Sequence, residues 1–141
     1  MREKSLFIPK NLFEEMLSHC REVYPNEACG ILAGNGEEAS KIYRITNSEN
    51  SPVTYKFEST EHIRADIDIR ENKLAMLAIY HSHPSSVAYP SQKDIEDAFW
   101  DGDPNYPDAV YVIVSLIKEQ PVVKGFSIRE GAVKEVRISV K

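Results

Sequence analysis

The run Leu74 to Tyr80 carries no charged side chain and passes straight into His81-Ser82-His83-Pro84. An apolar run this short cannot cross a bilayer, which takes about 20 residues, and its length suits a strand buried on both faces. A strand of this kind needs chain packed on either side of it. Ala109 to Ile117 is a second run of the same kind. A chain of 141 residues has room for one such domain, residues 1–141, with a core large enough to stand without disulfide or metal staples. A metal ion here would need a chemical reason.

The rest of the pattern supplies the cover. Ser5 to Ile8 reads as a short strand, and Asn11 to Tyr24 places Leu12, Phe13, Met16, Leu17, Cys20 and Val23 on one helical face before Pro25 stops it. Ala28 to Ala33 and Ser40 to Thr46 read as strands joined through the Asn35-Gly36 hairpin signal. Val53 to Phe57 alternates weakly like an edge strand, and Ser59 or Thr60 caps an expected helix to about Asn72. Ser85 to Pro90 is loop, and Ser91 caps a helix expected to reach Trp100. Asp103 to Asp108 reads as loop, followed by strands at Val122 to Arg129 and Val133 to Val140, turning at Glu130-Gly131. Strands interleaved with three helices predict an α/β or α+β domain around one sheet.

Seventeen Lys and Arg stand against 22 Asp and Glu, a net charge of −5, with the cations scattered. That leaves no basic field for a phosphate backbone, so nucleic acid is not an expected partner. Membrane is not expected either, and the apolar residues before Pro9 are too few for a secretory signal. Two cysteines make no disulfide framework, which predicts reduced thiols and a cytoplasmic location.

His81 and His83 stand two apart in extended chain, so their imidazoles share one side, and Pro84 holds His83 extended. Asp94 sits in the first turn of the helix that Ser91 caps, where the intervening loop can fold its carboxylate back to the histidines. Two imidazoles and one carboxylate, with a fourth position open, suit catalytic zinc; structural zinc closes all four positions and prefers thiolates. Ser91-x-x-Asp94 alone is an ordinary capping box. Its combination with His-x-His-Pro, six intervening residues earlier in the chain, is the stronger signal. His19 and His62 have no such partners and read as ordinary surface or core histidines.

His81-Ser82-His83-Pro84 with Ser91-Gln92-Lys93-Asp94, and Glu27 within Asn26-Glu27-Ala28-Cys29-Gly30, resembles the JAMM (MPN+) metallopeptidases, small prokaryotic-type members among them. The resemblance implies that His81, His83 and Asp94 hold Zn2+, that Glu27 is general acid and base, and that Ser91 steadies the tetrahedral intermediate. It implies a curved mixed β-sheet flanked by helices, cytidine-deaminase-like. The implied activity is hydrolysis of a peptide or isopeptide bond after the C-terminal tail of a ubiquitin-like or sulfur-carrier protein. A non-catalytic scaffold of the same fold and a Cys29-dependent thiol hydrolase are the alternatives; carrier, leaving group and oligomeric state stay open. A carrier tail would be held by strand addition, with Val53 to Phe57 the first candidate edge and Ser85 to Tyr89 the second.

Overall fold

The computed structural model describes residues 4–130 and 132–141. The elements run β1 (Ser5–Ile8), α1 (Lys10–Val23), β2 (Cys29–Asn35), β3 (Glu38–Ile45), α2 (Ser59–Glu71) and β4 (Ala75–His83). They continue with α3 (Gln92–Asp97), β5 (Phe99–Trp100), β6 (Asp103–Pro104), β7 (Val110–Ser115), β8 (Val122–Arg129) and β9 (Ala132–Val140). Seven strands pair in the order β1-β3-β2-β4-β7-β8-β9, and β9 returns parallel to β1 so that the mixed sheet closes into a barrel. The expected curvature therefore goes as far as closure, through four paired positions from Ser5↔Arg137 to Ile8↔Val140.

Alternation along β4 sorts the two sides of the sheet. Ala78 and Tyr80 join Leu12, Met16 and Cys20 of α1 with Val110, Val112 and Val114 of β7 in one cluster. Ile79 belongs instead with Tyr111, Ile113, Phe126 and Ile128. Beside that second cluster, Ala65 and Ile69 of α2 cover Cys29, Ile31 and Ile45. The inner parts of both apolar runs, Ala78 to Tyr80 and Val110 to Val114, are thus covered on two faces.

Gly30 shows how tight this packing is. It pairs with Tyr80, and a Cβ at residue 30 would fall 2.3–2.4 Å from the Tyr80 ring. That ring has no exposed surface, and its hydroxyl lies 2.6 Å from His19 Nδ1. Gly30→Ala is therefore expected to cost about 1–3 kcal/mol by overpacking, read as a lower urea midpoint. An unchanged midpoint would mean that Tyr80 has room to move.

Several expectations are corrected. β4 continues through His83, so both histidines lie inside the strand, where parallel pairing with β7 as far as His83↔Ser115 carries the ladder past Tyr80. Val53 to Phe57 forms no strand and makes only the isolated bridge Asn47↔Phe57. The reason is competition: Ser51 Oγ accepts from the Val53 and Thr54 N–H groups, and the Asn47 side chain takes Thr54 O and Lys56 N. Backbone groups satisfied by local side chains are not free to pair in a sheet.

α3 is shorter than expected, because the chain turns back through Asp101 (φ 52°) and Gly102 (φ 85°) to pair Phe99↔Pro104 and Trp100↔Asp103. Positive φ at both central residues is the type I′ hairpin that an Asp-Gly pair favours. α2 is capped by Glu58, whose carboxylate accepts from Thr60 N (3.1 Å) and Glu61 N (2.8 Å), rather than by Ser59 or Thr60. The first hairpin forms with Gly36 (φ 62°) and Glu37 as its central residues, between Asn35 and Glu38. The turn expected at Glu130-Gly131 includes Gly131, which lies outside the described residues.

Candidate metal centre

The sheet register builds the site. Cys29 of β2 pairs antiparallel with His81 of β4. Beyond that pair, Ser82 N donates to Ala28 O (3.0 Å), and Ala28 N donates to Ser82 Oγ (2.8 Å). Continuing the register sets Glu27 across from His83. With a side-chain period of two, Glu27, His81 and His83 therefore share one face of the barrel. The loop after Pro84 then returns α3 over this face.

There the three donor atoms meet. His81 Nε2 and His83 Nε2 are 3.1 Å apart, and Asp94 Oδ2 is 3.2 Å from the first and 3.0 Å from the second. Ligands held about 2.0–2.2 Å from a tetrahedral zinc ion stand about 3.3 Å from one another, so this triangle is close to one face of such a tetrahedron. Proton placement points the same way. His83 Nδ1 lies 2.7 Å from Val87 O, a carbonyl that only accepts, so Nδ1 carries the proton. A neutral His83 then aims its Nε2 lone pair at a carboxylate oxygen, and only a cation between them, proton or metal, makes that contact favourable. His81 Nδ1 is buried without a hydrogen-bond partner, and the half-buried Tyr55 stacks on the same ring with centroids 4.5 Å apart.

The ionisation behaviour follows from these contacts. Burial pushes His81 below the ordinary imidazole value. Burial also acts on His83, but the Asp94 carboxylate and the Val87 carbonyl outweigh it and raise that ring. Asp94 is likewise desolvated, yet hydrogen bonds from both histidines and Ser91 N hold it far below the carboxylate range. Glu27 is only 4% exposed, its Oε1 has no partner, and burial pushes it up to about 8. Near pH 6.5 the metal-free protein should therefore hold His83 as the imidazolium and Glu27 as the neutral acid, with His81 a neutral imidazole and Asp94 ionised. Zinc uptake is expected to release between about one and two protons, measured by calorimetry in buffers of different ionisation enthalpy, with affinity rising as pH rises. Release of none would contradict the assigned proton on His83.

Ser91 is exposed and caps α3. Its Oγ accepts from Asp94 N (3.0 Å), while Ser91 N donates to Asp94 Oδ2 (2.9 Å). The hydroxyl proton is left to donate outward. One residue that the sequence did not single out, Asn47, holds this arrangement. Asn47 is buried; its amide donates to Glu27 O and Thr54 O, and its Oδ1 accepts from Glu49 N and Lys56 N. It ties the strand entry that carries Glu27 to the loop that carries Tyr55. The polarity of Asn47 to Pro52 was the only signal for it, and polarity alone marks any loop.

The other candidates contribute no atom to the triangle. His19 is buried against Tyr80, and His62 packs edge-on against Phe57 near Asp66. Cys20 and Cys29 are free, fully buried thiols, each pushed up to about 12 by burial. Thiolate is the reactive form, so a thiol-directed alkylating agent is expected to leave the folded protein unmodified at neutral pH, as followed by intact mass. Rapid labelling of Cys29 would restore a thiol mechanism. Among the described residues no helix is long and apolar enough to cross a membrane.

The chain is similar to known proteins. A family model for prokaryotic homologs of the JAB domain matches residues 9–129. A Mycobacterium tuberculosis protein named CysO-cysteine peptidase is 33% identical over 96% of this chain and 90% of its own length. A Thermus thermophilus protein named probable TtuB-protein conjugate cleaving protease is 35% identical over 67% of this chain and 64% of its own. The solution structure of a Desulfitobacterium hafniense protein, 36% identical, superposes with a TM-score of 0.83 over 96% of this chain and 92% of that one. The chain belongs to the family of prokaryotic homologs of the JAB domain.

Proposed function

We propose that residues 1–141 act as one zinc-dependent peptidase domain that hydrolyses the peptide or isopeptide bond after the C-terminal tail of a ubiquitin-like or sulfur-carrier protein. The observation that carries this reading is the 3.0–3.2 Å triangle of His81, His83 and Asp94 with the buried Glu27 carboxyl on the same face. The names of the relatives support it: one is a peptidase, the other cleaves a protein conjugate. A cytoplasmic location goes with the two unpaired, buried thiols.

His81 Nε2, His83 Nε2 and Asp94 Oδ2 would hold the metal. When bound, zinc supplies a Lewis acid that polarises the scissile carbonyl and acidifies water. Glu27 takes the proton of the attacking water and hands it to the leaving amine, one carboxyl acting first as base and then as acid. Ser91 donates a hydrogen bond from its hydroxyl to the oxyanion that develops on the carbonyl. His83 is locked in its ligating tautomer by Val87 O, and Tyr55 covers His81. The tail lies in the groove formed by Tyr55, Phe57, His62, Ile63 and Tyr106 beside the site.

The test is mass spectrometry of conjugates of the source organism's own small carrier proteins after incubation with the zinc-loaded chain. Release of carrier ending at its tail, abolished by chelator, is the expected result. Stoichiometric zinc with intact conjugates would instead favour the scaffold alternative.

A further inference from the structure

On the His83 side of the site, away from the aromatic groove, lies a cavity of about 300 Å³. Val87, Tyr89, Ile117 and Val122 line it together with the exposed Lys118 and Lys124. Val87, Tyr89 and Ile117 are each more than half exposed, unusual for apolar side chains grouped around one cavity. The cavity shares a wall with the metal centre, since Val87 O holds His83 Nδ1 and Leu116 N donates to His83 O at 3.1 Å. Strand register fixes the distance. His83, Ser115 and Val122 form one row across β4, β7 and β8, and His81, Ile113 and Lys124 form the next. Neighbouring strands stand about 4.8 Å apart, so the Val122 and Lys124 backbones lie about 10 Å from the histidines on the same face.

Neither lysine forms an ion pair with any described carboxylate, although the chain is acidic overall with a net charge of −5. Two unpaired ammonium groups over an apolar cavity complement a ligand with an apolar body and one negative charge. A carrier tail threading the site presents neutral backbone and has no use for these cations. A leaving group that is itself an amino acid always carries an α-carboxylate. Hydrolysis adds OH to the tail carbonyl and H to the amine, and frees an amino acid whose carboxylate is already present in the substrate.

We propose that this cavity is the leaving-group site, and that it takes an amino acid with an apolar side chain and a free α-carboxylate bound by Lys118 and Lys124. This rests on the peptidase reading above. The experiment compares two substrates on the zinc-loaded chain: a carrier-tail peptide ending Gly-Gly-Leu with a free carboxylate, and the same peptide ending in leucinamide. Wild type should cleave the acid with a kcat/KM about tenfold above the amide, expressed mainly in KM. A Lys118→Met, Lys124→Met double variant should bring that ratio near one, while Lys134→Met, which removes the same charge from β9, should keep it. Equal rates on acid and amide in wild type, or a ratio that survives the double variant, would overturn the leaving-group assignment and leave the peptidase reading standing. Cleavage of neither peptide, with organism-derived conjugates also intact, would overturn both.

Discussion

Glu27→Gln is expected to keep its zinc and lose turnover by about 10²–10⁴-fold. Glutamine fills the same volume and removes only the proton-accepting carboxylate. Glu27 Oε1 has no hydrogen-bond partner, so the exchange breaks no contact made by that atom. The backbone stays anchored, because Glu27 N donates to Ser51 O (2.8 Å) and Glu27 O accepts from Asn47. A fall in kcat with little change in KM would identify an interaction made in the transition state. Wild-type turnover in a zinc-replete variant would remove Glu27 from the mechanism.

The same substitution has a stability signature of definite sign. In the metal-free protein the Glu27 carboxyl is raised from 4.5 to about 8, chiefly by burial. The folded state therefore holds this proton more tightly than the unfolded state does, and stability falls as pH rises through that window. The glutamine variant lacks this contribution. Its metal-free form should resist urea better than wild type at pH 8, and the difference should shrink toward pH 5.

What was legible in the sequence divides along physical lines. α1 was legible because Leu12, Met16 and Cys20 repeat at helical spacing and bury one face, which periodicity alone reveals. The histidine pair was legible because side chains two apart on a strand share a face wherever that strand lies. The tie between Glu27 and the metal centre was not, because it depends on the pairing of Cys29 with His81 across a separation of 52 residues. Spacing along the chain does not encode register; only the family resemblance brought Glu27 forward. Val53 to Phe57 misled because alternation is a pattern of side chains, whereas strand formation also needs free backbone groups, and Asn47 and Ser51 had taken several of them. Asp101-Gly102 was readable as a type I′ turn, but an expected helix running to Trp100 masked it.

Asp94→Asn separates the two roles of the carboxylate, which serves the α3 cap and the metal triangle with the same atom. Oδ2 accepts from Ser91 N at 2.9 Å while lying 3.0 and 3.2 Å from the two histidine Nε2 atoms. An asparagine oxygen can still accept from Ser91 N, and the Ser91 hydroxyl can still accept from the residue-94 N–H, so the capping box survives. What disappears is the negative charge. Loss of an outer partner to a zinc ligand costs about 10–100-fold in affinity, so loss of a ligand charge should cost more than 100-fold, with activity falling in parallel. His83 should also lose its raised pKa, because the Asp94 carboxylate is the main group holding it up against burial. Zinc uptake by the variant near pH 6.5 should then release fewer protons than wild type does. Asp94→Ala removes cap and ligand together, and its additional loss of helix stability should be about 0.5–2 kcal/mol. If Asp94→Asn binds zinc as tightly as wild type, the carboxylate is a helix cap alone and the site has two protein ligands rather than three.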